Sequence, residues 1–283
     1  MDNAPTERVT LDTLRHLKAR GQKFAMLTAY DYPMAVAAQA AGVHGLLIGD
    51  SMGTVLLGHA NTRQTPLSLM LTLGEAVRRG APHVHLWGDL PFEALSAGPE
   101  AVLDAARRFR DEAGCDAVKL ETAPEDDRLV ADLARAGIVT VAHLGLCPQQ
   151  VVTAEGYRPQ ARDATSIAQL VETARRMVAA GAAILLLEAV PGEASQAVVS
   201  AVEVPVVGCG AGPACDGHIL VTQDLLGYGN AHPPRFVPVL ARLDEIIARA
   251  LRQYVEDIAG GQYPGPQHAY RLRSPAARTG TRT

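Results

Sequence analysis

The sequence predicts a single (β/α)8 TIM barrel, with a helix before it and a helical extension after it. Three observations lead there. Short apolar runs ending at glycine or at an acid recur along the chain, each is followed by a stretch with helical spacing, and the number of such units approaches eight. Short connections between alternating strands and helices imply parallel strands and right-handed crossovers, and about eight units favour a closed barrel over an open sheet. A length of 283 residues suits one such domain. Residues 1–270 are assigned to it, and residues 271–283 are expected to form a disordered basic tail.

LDTLRHLKARG has helical spacing and stops at Gly21, so it reads as a leading helix that closes the bottom of the barrel. KFAMLTAYD is the first strand, YPMAVAAQAAG its helix and HGLLIGDSMG the second strand. A polar loop, LGHANTRQTP, leads into the helix LSLMLTLGEAVRRG, and the third strand, HVHLWGDL, again ends Gly-Asp. PEAVLDAARRFRDEAG is a helix with Pro near its start; in the strand CDAVKLE, Lys119 and Glu121 lie two apart and share a face. DDRLVADLARAG is the next helix, IVTVAHLG the fifth strand, ATSIAQLVETARRMVAAG a long helix and AAILLLEAV the sixth strand, ending at Glu188. GEASQAVVSAV is a short helix, VPVVGCGAG the seventh strand, and the eighth falls within GHILVTQDLLG. PPRFVPVLARLDEIIARALRQYVEDIAGG is a long final helical region.

With 48% hydrophobic and 20% charged residues and a net charge of -4, the chain has neither a nucleic-acid surface nor the make-up of a disordered acidic chain. Small molecules are the expected partners. The four cysteines include no Cys-x-x-Cys, which points to a reduced, cytoplasmic protein. The N-terminus lacks an apolar signal region, and the longest apolar run, around AAILLLEAV, is too short and too acidic to span a membrane.

In a barrel the C-terminal strand ends converge on one mouth, so Asp50, Asp89, Lys119, Glu121, His143 and Glu188 are expected to face a common pocket. Alone, each reads as well as a turn cap, an ion pair or a satisfied core group; their repetition on consecutive strands points to a site. So many acids beside one lysine drive pKa values up unless a cation offsets them, and oxygen ligands without thiolates suit a hard ion such as Mg2+. His44, His59, His83 and His85 show no metal-ligand spacing and are left out of the site. GCGAG, residues 208–212, lacks the spacing of a phosphate cradle and reads as a tight turn at the pocket.

TAYDYPMA, IGDSMG, GDLPF, VKLE, AHLGLCPQ, LLLEAVP, GCGAGPACDGHILVTQDLLG and YVEDIAGGQYPGPQH follow one another from about residue 24 to 268. Together they resemble the ketopantoate hydroxymethyltransferase family. The resemblance implies a barrel of the phosphoenolpyruvate mutase/isocitrate lyase-like type. It implies Mg2+-dependent transfer of a hydroxymethyl group from 5,10-methylenetetrahydrofolate to 3-methyl-2-oxobutanoate, early in pantothenate biosynthesis, by a homo-oligomer, commonly a decamer. By the same resemblance Asp50, Asp89 and Glu121 are metal ligands, and Asp50, Ser51, Asp89 and Lys119 bind the 2-oxo acid. Glu188 is the base, Lys119 steadies negative charge on oxygen, and His143 holds substrate or a water.

The chain departs from the family pattern at residues 59–75, where RQTPL and LTLGE stand and Leu73 falls where a histidine is usual, and at residues 150–162, where TAEGYRPQARDA replaces a more glycine-rich run. Gly88 stands where Ala is common. These differences leave open a relative that enolises another 2-oxo acid, as an aldolase or a lyase. The Lys-Lys-Cys-Gly-His segment of lyases in the mutase superfamily is absent. A barrel without turnover, acting as a scaffold, is the alternative from another class.

Overall fold

The computed structural model describes residues 7–151, 158–229 and 233–272. Eight parallel strands close into a barrel in sequence order, β1 beside β8: β1 (Phe24–Thr28), β2 (Gly45–Ile48), β3 (His85–Asp89), β4 (Ala117–Glu121), β5 (Thr140–Gly145), β6 (Ile184–Glu188), β7 (Val206–Cys209) and β8 (Gly217–Leu220). The (β/α)8 expectation holds. The expected basic tail from residue 273 on, and residues 152–157 of the divergent loop, lie outside the described residues.

A leading helix, α1 (Leu11–Ala19), opens on a capping box in which Thr10 accepts from the Thr13 amide. Its Leu14 is fully buried and packs with Phe24, Met26, Trp87 and Ile219 in the cluster that fills the barrel interior. Arg8 and Lys18 pair with Asp116 and Asp216, the residues just before β4 and β8, so the helix plugs the N-terminal end as expected. Helices α2 (Tyr32–Ala40), α4 (Leu67–Gly80), α6 (Pro99–Asp111), α7 (Asp127–Arg135), α8 (Ala164–Ala179) and α9 (Gly192–Ala201) form the outer layer. Their apolar stripes meet the outward strand residues in a second cluster that includes Ile48, Leu86, Leu120 and Leu187. Strands covered on both faces read as continuous apolar runs, which is why GLLI is buried throughout.

Three short helices break the expected pattern. α3 (Met52–Val55) begins within the last two residues of the stretch read as the second strand, α5 (Phe92–Ala97) precedes α6, and α10 (Thr222–Leu226) lies near the end of the stretch read as the eighth strand. No helix separates β7 from β8, which are joined by residues 210–216. The final helical region is shorter than expected: α11 spans Leu243–Ala259, and residues 233–242 are not helical. Pro233, Pro234 and Pro238 lack the amide a helix needs there. No residue of α11 is buried, and Leu251 and Val255 are exposed.

Gly88 has a packing reason. A Cβ there would run into the ring of Phe109, which lies against β3 from α6. Gly88→Ala is therefore expected to cost about 1–3 kcal/mol by overpacking. In a double-mutant cycle monitored by thermal unfolding, Phe109→Leu should cost less in the Gly88→Ala background than alone; simple additivity would contradict the contact.

At the other end of β3, His85 is buried and its Nδ1 accepts from Trp87 Nε1 at 2.7 Å. Burial pushes its pKa down to about 4 from the ordinary 6.5, with Asp116 opposing. Between those values the unfolded chain binds the extra proton, so stability is lost as pH falls through this window, by up to ~3 kcal/mol. Denaturant midpoints should fall accordingly, and less steeply for His85→Gln, which keeps a neutral acceptor for Trp87. Equal slopes in the two proteins would refute the assignment.

Candidate active site

The strand register sets each strand-end acid beside a residue of a neighbouring strand. Asp89 on β3 stands opposite Lys119 on β4, Glu121 opposite His143 on β5, and Gly145 opposite Glu188 on β6. Asp50 follows β2 by two residues. Its carboxylate does not cap α3, whose first turn has no side-chain cap. Thr65 Oγ1 instead donates to the Asp50 carbonyl (3.0 Å), and the Asp50 amide donates to Asp89 Oδ2 (3.1 Å). Lys119 Nζ donates to Asp89 Oδ1 at 2.6 Å, both side chains almost wholly buried.

These groups open on a cavity of about 130 Å³ at the C-terminal end of the barrel. Asp50, Ser51, Asp89, Lys119 and Glu188 line it. Leu47, Leu186 and Ile219 form its apolar floor. Glu121 and His143 are buried and do not line it. His143 Nε2 is 3.2 Å from Glu188 Oε2 and its Nδ1 is 4.0 Å from Glu121 Oε1. Neither ring nitrogen is aligned for a hydrogen bond, so the imidazole is a buried bridge with both nitrogens unmet.

Charge is unbalanced here. Burial, with Asp50 adding to it, pushes Asp89 up to about 7 although Lys119 pulls the other way. Glu121 is driven well above the ordinary carboxylate range, first by burial and then by Asp50 and Asp89, against Lys119. Burial works against the Lys119 charge, but Asp89, Asp50 and Glu121 outweigh it and raise its pKa. Burial lowers His143, helped by Lys119 and opposed by Glu188, so the ring is neutral.

Several contributors were not singled out in the sequence. Gln149, in the 3-10 turn Pro148–Gln150 after β5, donates from Nε2 to Asp50 Oδ2 (2.8 Å), and its amide lies 3.2 Å from each Glu121 oxygen. Tyr30 OH is 2.8 Å from Ser51 Oγ. Thr62, Cys209, Asp224 and Phe236 line the cavity. Phe236 sits where a Cβ on Gly210 (φ +62°) would fall, so the GCGAG turn does let another group approach closely. Only the CPQQ run after the fifth strand carried a signal, a polar residue just past a strand end; the others are visible only in three dimensions.

Comparison with known proteins gives the family. The family model for ketopantoate hydroxymethyltransferase matches residues 8–266. The chain belongs to this family. It is 42% identical over 258 residues to the 3-methyl-2-oxobutanoate hydroxymethyltransferase of Geobacillus kaustophilus, covering 91% of this chain and 92% of that one. With the protein of the same name from Mycobacterium ulcerans it shares 41% identity over 269 residues, 95% and 90% of the two chains. Among solved structures, a chain named as a candidate phosphonomutase from Burkholderia cenocepacia superposes with a TM-score of 0.65 at 18% identity, covering 87% of this chain and all (100%) of that one. A 2,3-dimethylmalate lyase of the phosphoenolpyruvate mutase/isocitrate lyase superfamily superposes at 0.58 and 18%, covering 93% and 91%. Both likenesses show a shared barrel fold.

Within the ketopantoate hydroxymethyltransferase family, this member's altered stretch 59–75 brings Thr62 to the cavity, while Leu73 packs on the helix–strand core. The donor set also bears on a metal. Among the described residues no three His, Cys, Asp or Glu side chains stand ready to enclose an ion. Lys119 holds one Asp89 oxygen, and Gln149 holds Glu121 and an Asp50 oxygen. Asp50, Asp89 and Glu121 still fit a hard divalent cation chemically: they are buried oxygen donors with one lysine to offset them, and Asp89 and Glu121 have raised pKa values that a cation would relieve.

Proposed function

We propose that the protein transfers a hydroxymethyl group from 5,10-methylenetetrahydrofolate to 3-methyl-2-oxobutanoate, giving ketopantoate for pantothenate biosynthesis. The family match over residues 8–266 carries this reading, and the cavity geometry supports it. Asp50, Asp89 and Glu121 would hold Mg2+, which supplies Lewis acidity toward the 2-oxo acid's oxygens. Lys119, buried and cationic beside Asp89, steadies negative charge as it grows on the keto oxygen. Ser51, held by Tyr30, is placed to bind the carboxylate. The apolar floor of Leu47, Leu186 and Ile219 suits the acceptor's branched carbon end.

Glu188, at the rim and outside the cation set, takes the C3 proton of the acceptor, and neutral His143 stands behind it with Nε2 3.2 Å from its carboxylate. Water cleaves the two C–N bonds of the methylene unit, freeing tetrahydrofolate and a one-carbon unit at the formaldehyde level; the enolate carbon adds to that carbon, and the alkoxide formed takes up the proton that Glu188 removed. Among the described residues no helix is long and apolar enough to cross a membrane, and the four cysteines are free thiols. A cytoplasmic homo-oligomer fits these features and the exposed apolar residues of α11.

The test is C3 exchange. The protein is incubated with Mg2+ and 3-methyl-2-oxobutanoate in deuterated water, and loss of the C3 proton is followed by NMR. Exchange, and ketopantoate when the folate is added, is the expected result. No exchange with or without folate would sink the mechanism; exchange without product would point to another one-carbon donor.

A further inference from the structure

Gln149 is a neutral amide set among acids. Its Nε2 donates to Asp50 Oδ2 at 2.8 Å and to the Leu90 carbonyl at 3.0 Å, and its backbone amide lies 3.2 Å from both Glu121 oxygens. Leu90 directly follows Asp89, so one residue ties together Asp50, Glu121 and the backbone beside Asp89. The amide orientation is forced, because both atoms facing Nε2 are acceptors and the reversed group would set oxygen against oxygen. Oε1 is then left buried without a hydrogen-bond partner, in a side chain 1% exposed.

An unmet buried acceptor is unfavourable, the more so beside carboxylates. Its environment makes sense if, in the loaded protein, the oxygen is met by a group carrying positive charge or an acidic proton. A lysine at this place would compete with a cation by its own charge. A glutamate would add a further carboxylate where N–H donors are needed.

We propose that Gln149 is a positioning residue for a divalent cation: its N–H groups hold Asp50 and Glu121 in place, and its side-chain oxygen accepts a hydrogen bond from water carried by the ion. This rests on the cation reading under Proposed function. Groups that orient metal ligands typically alter affinity by about 10- to 100-fold when removed.

Mn2+ serves as the probe, with free ion measured by electron paramagnetic resonance on the full chain. Gln149→Met, which keeps side-chain length without the amide, is expected to weaken Mn2+ binding by about 10- to 100-fold. Saturating Mn2+ should restore its C3 exchange rate, which a general packing defect would not allow. Gln150→Ala, at the exposed neighbour, should bind Mn2+ as the wild type does. Should Gln149→Met not fold, Gln149→Asn, whose amide falls short of Asp50, carries the same expectation. Wild-type affinity in either folded variant overturns the proposal. A wild-type protein that binds no Mn2+ overturns the cation reading as well, and so separates the two failures.

Discussion

Glu188→Gln is expected to slow C3 proton exchange by about 10²- to 10⁴-fold, the range a positioned base supplies, and to leave Mn2+ affinity unchanged. The substitution keeps shape and hydrogen-bonding capacity but removes the basic oxygen. Glu188 is suited to this role by its place: its side chain is 20% exposed, against 2% for Asp89 and 1% for Glu121, so of the three it is the carboxylate most open to an incoming substrate. It also stands clear of the Lys119–Asp89 pair and of the bonds from Gln149. NMR exchange rates and an Mn2+ titration on the same preparation decide the matter. A fall in Mn2+ affinity with exchange retained would make Glu188 a ligand and the assignment wrong.

Lys119→Met is expected to have the largest effect on stability. The ammonium is the buried partner of Asp89 and the nearest offset to Asp50 and Glu121. Removing one member of a buried pair costs about 3–5 kcal/mol, because the other charge is left without its partner. The loss has a pH signature. The folded-state pKa of Asp89, at about 7, is already above its ordinary 3.8, so the native state holds a proton that the unfolded chain gives up, and stability declines as pH rises through that window. Without Lys119 the window extends upward, so the deficit grows above pH ~7. Urea midpoints of metal-free wild type and variant across this range are the measurement. A deficit independent of pH would mean that packing of the alkyl stem, not charge, is what Lys119 contributes. C3 exchange should also fall by about 10²- to 10³-fold, as when a preorganised charge-stabilising donor is lost.

The barrel was legible because period and punctuation are local. GLLI, ILLLE and VVGC are apolar without alternation since both faces are covered, and a glycine or an acid marks where each run meets solvent or the mouth. The acids at those ends were legible for the same reason: parallel strands in a closed barrel all point one way, so strand-end residues must meet. The C-terminal region was misread because its composition is helical while Pro233, Pro234 and Pro238 interrupt a helix there, and the helix starts only at residue 243. The short helices α3, α5 and α10 were missed because four to six residues carry too little periodicity to register.

By itself, then, the sequence determined the strand order, the family and the six strand-end groups that converge. Tertiary structure alone decided how they divide: Asp50, Asp89, Lys119 and Glu188 at the cavity, Glu121 and His143 behind it. It also decided that Lys119 pairs with Asp89 and that Gln149 joins Asp50 to Glu121, 99 and 28 residues away along the chain. The reason is physical. Period and spacing say which face a residue takes, but burial, the depth of a side chain in the mouth and the partner it meets depend on segments distant in sequence, and these set both the pKa values and the chemistry.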